Sequence, residues 1–200
     1  MIKLTNTLLA LSLLLFAGLV HSQVNITPGI GFHDLKIGMK YDAFTAVVGE
    51  SNSVLTYAEE EKNYTDNGYE FTQTLPFLIG FDAVYVYTNN NQFGIWKAYF
   101  KKGKLVYLNL SSYVTSTEIS TKITVKDSLQ FFQGVEQMET VLGKEYVKAI
   151  DPDNYVVYTY TTVGIRFLYE GTKLRGIYIF KPLKGKKATR LNALLAPITE

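Results

Sequence analysis

The sequence predicts an α+β fold built from two tandem units, each a helix followed by a three-stranded antiparallel meander, with the two meanders sharing or abutting one sheet. Residues 96–110 and 164–180 each alternate apolar and polar side chains on both sides of a tight turn, which is the period of a half-buried strand. When the two stretches are aligned at their turns, Phe100 matches Tyr169 and Leu108 matches Ile177. An apolar stripe at helical spacing, ended by a glycine, precedes each stretch.

The first 22 residues have the pattern of a signal peptide. Lys3 supplies a positive start, and an apolar run of 13 residues extends from Leu8 to Val20. Val20-His21-Ser22 then fits the small-residue cleavage positions, so we expect a mature start near Gln23. A membrane anchor is the alternative, but a span needs about 20 apolar residues. The pattern therefore predicts a periplasmic or secreted protein.

Composition excludes several kinds of site. The chain has no cysteine, which removes thiol catalysis, thiolate metal sites and a lipid-modified cysteine. Its formal net charge of +2 gives no broad field for nucleic acid. The hydrophobic fraction of 47% is enough to build a core, so we expect a folded chain.

Residues 23–115 form the predicted first unit. After an extended lead-in, Ala43, Phe44, Val47 and Val48 lie at helical spacing and Gly49 ends the helix. Residues 50–75 are polar without a steady period, so we interpret them as an insertion. Strands are expected at residues 83–88, 95–101 and 105–113.

Residues 116–200 form the predicted second unit, with a basic C-terminal tail. Val135, Met138, Val141 and Leu142 make a second helical stripe that Gly143 ends. Strands are expected at residues 155–161, 165–169 and 174–181, and a short final helix at 191–195. The alternative to duplication is a chance similarity between two ordinary meanders.

Three short motifs carry a resemblance to known proteins. They are the Ile37-Gly38-Met39 entry, a short helix ending in a Val-Gly or Leu-Gly pair, and a strand of the form Gly-Ile-x-Phe. Together they resemble the SmpA/OmlA-type outer-membrane assembly lipoproteins and the tandem architecture of β-lactamase-inhibitor proteins. The lipidated cysteine of those lipoproteins is missing here, and Phe132 stands where Gly38 would align. The resemblance implies an exported binding or assembly protein without catalysis.

Few residues support chemistry. After leader removal His33 is the single histidine, so neither a catalytic triad nor a histidine-rich zinc site has its partners. We predict no cofactor and no metal. Carboxylates are dense in one stretch, namely Glu59, Glu60, Glu61 and Glu70. Because paired carboxylates hydrolyse glycosidic bonds, a glycan hydrolase remains an alternative, beside a simple solvated loop.

One sheet face carries several tyrosines. If Trp96, Ala98 and Phe100 face the helix, the remaining polar and aromatic side chains of the first meander face away. These residues are Tyr85, Tyr87, Lys97, Tyr99, Tyr107 and Asn109. Because tyrosine is enriched where partners dock, we predict a partner-binding surface here. Cross-strand stabilisation, or coverage by the 50–75 insertion, are the alternatives.

The function predicted from these observations is an exported, non-enzymatic binding or envelope-assembly protein whose partner is another envelope or secreted protein. A purely structural envelope component is a further alternative. Lys184, Lys186 and Lys187 form a basic cluster that could touch an anionic surface, although a solvated tail is the favoured interpretation.

Overall fold

The computed structural model describes residues 24–68, 75–90, 94–111, 123–151 and 154–196. These residues form five helices and two mostly antiparallel sheets, so the predicted α+β class is confirmed. The predicted signal peptide, residues 1–22, lies outside the described residues. No helix in the described ranges is both long and apolar enough to span a bilayer.

The elements of the first half of the chain have the following bounds. They are β1 (Val24–Thr27), β2 (Gly31–Phe32), β3 (Leu35–Lys36), α1 (Tyr41–Val48), β4 (Ser53–Thr56), α2 (Tyr57–Asp66), α3 (Leu75–Ile79), β5 (Ala83–Asn90), β6 (Gly94–Lys101) and β7 (Lys104–Ser111).

The second half follows with eight more elements. They are β8 (Ile123–Val125), β9 (Leu129–Gln130), α4 (Val135–Leu142), β10 (Val147–Ile150), β11 (Val156–Tyr160), β12 (Ile165–Glu170), β13 (Lys173–Phe180) and α5 (Lys186–Leu195).

The larger sheet has eight strands in the order β10-β11-β12-β13-β7-β6-β5-β4, and all neighbours are antiparallel. Its centre is the β7–β13 pair, in which Leu108 lies opposite Ile179 and Leu110 opposite Ile177. The strands therefore form two groups, β4–β7 and β10–β13, that meet edge to edge. The short edge strands β4 and β10 carry no strong periodic pattern, and sequence analysis missed both.

The smaller sheet has the order β3-β2-β1-β8-β9 and contains the one parallel pair among the described strands, β1 with β8. In that pair Val24 lies opposite Ile123 and Ile26 opposite Val125. Sequence analysis described this region as an extended lead-in. Two-residue strands such as β2 and β3 are too short to show a period, so the pairing was not readable from the sequence.

The first face of the larger sheet, which carries Trp96, Ala98 and Phe100, packs against α1, α4 and the smaller sheet. Phe44 of α1 and Met138 of α4 are fully buried in this core. The four residues matched in the two meanders, Phe100, Tyr169, Leu108 and Ile177, are buried here as well. The two predicted helices lie where the apolar stripes placed them, because burying such a stripe requires a sheet face opposite it.

The second face, which carries Tyr99 and Tyr107, is also covered. Helix α3 supplies Leu75 and Phe77 to its core, with the neighbouring Phe81, and α5 supplies Leu191 and Leu195. Tyr57 and Tyr64 of α2 pack against the same core. The expectation of an open face is therefore wrong. The covering comes largely from the stretch interpreted as an insertion, in which residues 69–74 lie outside the described residues.

Helix α2 begins with a capping box, formed by Thr56 and Glu59. The Thr56 hydroxyl accepts a hydrogen bond from the Glu59 N–H, and the Glu59 carboxylate accepts one from the Thr56 N–H at 2.7 Å. This Thr-x-x-Glu signature satisfies two N–H groups at the helix start. It fixes where α2 begins and hence which residues of α2 point at the sheet.

Candidate functional site

A row of polar side chains crosses the middle of the second face. Strand pairing places Lys97 opposite Asn109, Asn109 opposite Tyr178, and Tyr178 opposite Arg166. Opposed side chains in an antiparallel sheet share a face, so these four residues lie side by side on β6, β7, β13 and β12. Each is half-buried, so the row is not fully sealed from solvent.

Glu60 of α2 closes one end of the row. Its side chain is fully buried, and Oε1 accepts hydrogen bonds from Lys97 Nζ at 2.7 Å and from the Tyr99 hydroxyl at 2.9 Å. A buried carboxylate needs such partners because desolvation of the charge is costly. Lys97 keeps 28% of its side chain exposed, so solvent screens this ion pair on one side.

Tyrosine hydroxyls continue the cluster away from Glu60. Burial raises the pKa of Tyr99 well above its ordinary value, and the neighbouring Tyr64 and Glu60 add to the shift. Burial also raises the pKa of Tyr107, while the Arg166 guanidinium opposes that shift. Burial raises the pKa of Tyr178 to about 12. These phenols therefore stay protonated at neutral pH and serve as hydrogen-bond donors.

Several buried polar atoms in this cluster have no hydrogen-bond partner among the described residues. They are Glu60 Oε2, Tyr107 Oη, Asn109 Oδ1 and Arg166 Nε. Native proteins satisfy about 90% or more of such atoms, with protein groups, water or ligands. Water or a polar ligand can satisfy the four atoms on this sheet face.

The six residues predicted as a partner surface divide between the two faces. Tyr85 and Tyr87 lie on the first face, because Tyr85 is opposite Ala98 and Tyr87 is opposite Trp96. Tyr87 stacks on Trp96 with ring centroids 4.1 Å apart. Their predicted placement is wrong because β5 alternates valine with tyrosine, and both residue types pack well on either face.

The other four predicted residues do lie on the face opposite Ala98. Lys97, Tyr99, Tyr107 and Asn109 form much of the polar cluster, but they lie under α2 and α3 instead of on an open surface. Tyr99 and Tyr107 are 0% and 1% exposed. They cannot touch a protein partner while the covering helices stay in place, although a small molecule needs far less access.

Sequence reasoning missed the residues that other elements bring to the cluster. Glu60 was counted with the charged stretch, and Arg166 and Tyr178 were noted only as strand positions. Arg166 had a usable signal, since it lies between the apolar residues Ile165 and Phe167 and so faces away from their core. Nothing in the sequence showed that α2 would bring Glu60 to the same face.

The remaining candidates are separate and exposed. His33 contacts only the adjacent Asp34 carboxylate, at 3.0 Å, and both side chains are exposed. Among the described residues, no group of three acidic or histidine side chains is placed to hold a metal ion. Lys184, Lys186 and Lys187 are exposed at the start of α5, and their contact with an anionic surface stays a prediction.

Among the predicted carboxylates, Glu59 caps α2 and Glu60 is paired with Lys97, whereas Glu70 lies outside the described residues. Glu59 and Glu60 are thus held by different partners.

Comparison with known proteins gives no family. No protein-family model matches the chain. No curated protein matches it either.

Two solved structures are similar to parts of it. One is an extracellular protein containing an SCP domain from Bacillus anthracis str. Ames, with 11% identity, a TM-score of 0.41, and coverage of 78% of this chain and 46% of that chain. The other is a cysteine-rich secretory protein from Staphylococcus aureus subsp. aureus Mu50, with 10% identity, a TM-score of 0.38, and coverage of 72% and 43%.

These findings correct the resemblance derived from short motifs. The similar structures are described as SCP-domain and cysteine-rich secretory proteins, so the resemblance to SmpA/OmlA lipoproteins or β-lactamase-inhibitor proteins is wrong. Motifs such as Ile37-Gly38-Met39 record a turn and an apolar contact, which unrelated folds share. The chain spans less than half the length of either similar structure, and neither one assigns it to a family.

Proposed function

We propose that this chain is an exported, non-enzymatic binding protein whose ligand contacts the polar cluster on the second face of the larger sheet. The observation that carries the proposal is the group of four buried polar atoms without partners, Glu60 Oε2, Tyr107 Oη, Asn109 Oδ1 and Arg166 Nε. An unsatisfied buried polar atom costs about 1–3 kcal/mol. A polar ligand that forms those hydrogen bonds removes this cost, and its binding is therefore favoured.

Export is supported by the N-terminal sequence. The apolar run from Leu8 to Val20 and the small-residue pattern at Val20-His21-Ser22 are typical of a cleaved leader. We propose a periplasmic or extracellular location on this ground, with cleavage near Ser22. Intact-mass measurement of the exported protein tests the site, since a species that retains Met1 would contradict it.

A binding role is better supported than the glycan hydrolase alternative. Hydrolysis of a glycosidic bond uses two carboxylates that flank one bond. In the cluster Glu60 is the carboxylate brought to the sheet, and its charge is already shared by Lys97 and Tyr99. The arrangement therefore favours holding a ligand over protonating a leaving group.

We also propose that the two strand groups are tandem copies of one unit. Gly49 and Gly143 end α1 and α4 with nearly the same backbone angles, φ 77° and ψ −167° against φ 82° and ψ −167°. The register shifts at Tyr99/Phe100 and at Leu168/Tyr169, which are matched positions. Such irregular details are not required by an antiparallel sheet as such, so their recurrence supports duplication.

Native mass spectrometry of the protein isolated from its own host tests the binding role. We expect a non-covalent adduct that is released on unfolding and is lost in the double variant Tyr107→Phe, Asn109→Leu. The matched control is Lys148→Met, because Lys148 lies over the Tyr158 ring on the first face. Circular dichroism of each variant shows that the fold is retained.

The same experiment separates binding from catalysis. The released molecule is returned to fresh protein and its mass is measured again after a long incubation. An unchanged mass supports a binding protein, whereas a new product mass that requires the folded protein would support the hydrolase. An adduct that persists in the double variant would place the ligand elsewhere and overturn the proposed site.

A further inference from the structure

Arg166 is a cation without a matching acid in the polar cluster. Its guanidinium lies over the Tyr178 ring, with 5.8 Å between Cζ and the ring centroid. Its Nε is buried and makes no hydrogen bond with the described residues. The ion pairs in the described part of the chain belong to other side chains, including the Lys97–Glu60 pair in the same cluster. Arginine in such surroundings is suited to a planar oxyanion.

Tyr107 supplies a second donor beside Arg166. The guanidinium is close enough to oppose the rise that burial causes in the pKa of Tyr107. Both the charge of Arg166 and its hydrogen-bonding effect on the Tyr107 oxygen act in that direction, so the two groups are direct neighbours. The Tyr107 O–H has no acceptor among the described residues. Two adjacent donors without acceptors are what a carboxylate or similar oxyanion would bond.

Asn109 presents an acceptor at the other side of Tyr178. Its Oδ1 is buried and unpartnered among the described residues. Asn109 and Arg166 lie two strands apart, and strands in a sheet are about 4.8 Å apart, so their backbones are about 10 Å apart. A ligand that contacts both side chains must therefore reach across the position of Tyr178.

Gly176 makes room for the Tyr178 side chain. A Cβ at Gly176 would lie 3.0 Å from Tyr178 Oη, so the Tyr178 side chain lies along the sheet over the missing side chain. A larger residue at Gly176 would push the ring out of this position. Tyr178 can therefore lie flat between Asn109 and Arg166 instead of standing between them.

We propose that this cluster binds a small organic acid that also carries a hydrogen-bond donor, an amino or hydroxy carboxylic acid. Arg166 and Tyr107 hold the carboxylate, and Asn109 Oδ1 accepts the ligand's N–H or O–H. This inference rests on the proposed binding function and adds the chemical class of the ligand. Asn109 lies two residues from Tyr107 on β7, across Tyr178 from Arg166, so a ligand with only one of the two groups satisfies only part of the site.

Four probes of similar size separate the two ends of the ligand. Glycine and glycolate carry both groups, acetate carries the carboxylate alone, and methylammonium carries the donor alone. Binding to the purified protein is measured by titration calorimetry and by the shift of the thermal unfolding midpoint. We expect glycine or glycolate to bind at least about tenfold more tightly than acetate, which is the effect of one good hydrogen bond. Methylammonium should give no shift.

Variants assign the contacts. Tyr107→Phe removes only the hydroxyl and should weaken binding of the preferred probe by about tenfold, because a bond to a charged group is lost. Arg166→Gln should abolish binding. The matched control is Arg175→Gln, since Arg175 is ion-paired with Glu170 at 2.6 Å in the β12–β13 hairpin. If Arg166→Gln unfolds the protein, the near-isosteric Tyr107→Phe variant still decides the outcome.

Each result supports or overturns the inference. Equal binding of acetate and glycine would contradict the proposed contact between Asn109 Oδ1 and a donor group of the ligand. Equal binding of all four probes would show a hydrated cluster without selectivity. Failure of every probe would overturn the ligand class. If an adduct from the host still depended on Tyr107 and Asn109 in that case, the proposed binding function would stand without it.

Discussion

The two halves of the larger sheet are closely matched on one face and differ on the other. On the first face, Phe44 of α1 and Met138 of α4 are both fully buried against the strands that follow them. The helix entries also match, since the Gly38 N–H donates to Leu105 O at 2.7 Å and the Phe132 N–H donates to Leu174 O at 3.0 Å. This face is governed by apolar packing, which tolerates different side chains in one arrangement.

On the second face the coverings differ in chemistry. Over β4–β7, α2 brings the buried carboxylate of Glu60 to Lys97 and Tyr99. Over the β10–β13 side, α5 brings Leu191 and Leu195, with one polar contact from the Thr161 hydroxyl to Asn192 Oδ1. The first face, on which the two halves match, thus stabilises the fold, whereas the second face carries the polar groups that can distinguish a ligand.

The largest expected effects are on the matched face. Phe44→Ala and Met138→Ala should each lower the free energy of unfolding by about 3 kcal/mol or more, because each leaves a cavity in the core. Phe44 makes ring contacts with Trp96 and Phe100 at centroid distances of 5.8 and 5.1 Å. Urea unfolding measures both losses.

Val47→Ala is the control for this pair, since Val47 is 44% exposed and should lose well under about 1 kcal/mol. A large loss at Phe44 beside a negligible loss at Met138 would break the comparison between the two helices.

Unequal effects are expected on the second face. Glu60→Ala leaves Lys97 without its acid and Tyr99 without its acceptor, and should cost about 2–3 kcal/mol; partial exposure of Lys97 keeps it below the cost for a fully buried pair. Asn192→Ala removes one hydrogen bond to Thr161 and should cost about 1 kcal/mol. Urea unfolding compares the two variants.

The neighbouring Glu61→Ala serves as the control for the helix itself. A Glu60→Ala protein as stable as Glu61→Ala would show that the carboxylate does not anchor α2, and the distinction between the two coverings would lose its energetic basis.

Equal, moderate effects are expected at the two helix ends. Gly49 and Gly143 have φ of 77° and 82°, and a Cβ at either position would meet nothing within 4 Å. Alanine should therefore cost only the strain of this backbone conformation, positive φ with ψ near −167°, which is about 1–3 kcal/mol at each site. Thermal unfolding measures both.

Glycine alone adopts this conformation readily, so Gly49→Asn and Gly143→Asn should lose about as much stability as the alanine variants. Losses that differ by more than about 1 kcal/mol between the two glycines would argue against equivalent helix ends.

The smallest effects concern acid pH. Backbone and side-chain hydrogen bonds from Thr56 lower the pKa of Glu59, and hydrogen bonding from Tyr146 lowers the pKa of Glu139. A lowered pKa in the folded state stabilises the protein above the unfolded value, about 4.3, and that stabilisation is lost as the pH falls through the folded pKa.

Glu59→Gln and Glu139→Gln should each flatten the fall of the unfolding midpoint in this acid range, measured by thermal scans at several pH values. The double variant should flatten it further, because the two sites are in separate halves. An unchanged acid profile in both single variants would remove these carboxylates as a cause.

The sequence determined those parts of the fold that the periodicity of apolar side chains predicts. Alternation placed Trp96, Ala98 and Phe100 on the core side of β6, and the apolar stripe ending at Gly49 placed α1. Side-chain periodicity gave the wrong result on β5. Valine and tyrosine alternate along this strand, and either set of side chains packs well in a core, so Tyr85 and Tyr87 were assigned to the wrong face. Periodicity also gave no signal for strands of two to four residues.

The candidate site was readable only in part. Lys97, Tyr99, Tyr107 and Asn109 were grouped correctly because they share strands and parity. Tyr178 and Arg166 joined them only through the β7–β13 pairing, which links residues about 70 positions apart. No local pattern encodes such a pairing.

By itself the sequence determined the class of the fold, the two helix ends and the core side of most strands, because side-chain periodicity is a local property of the chain. The tertiary structure alone decided that the second face is closed, that α2 brings Glu60 to Lys97, and that Arg166 has no acid partner among the described residues. Those outcomes depend on which secondary-structure elements pack together, and the free energy of that packing is a sum of contacts between residues far apart in the chain.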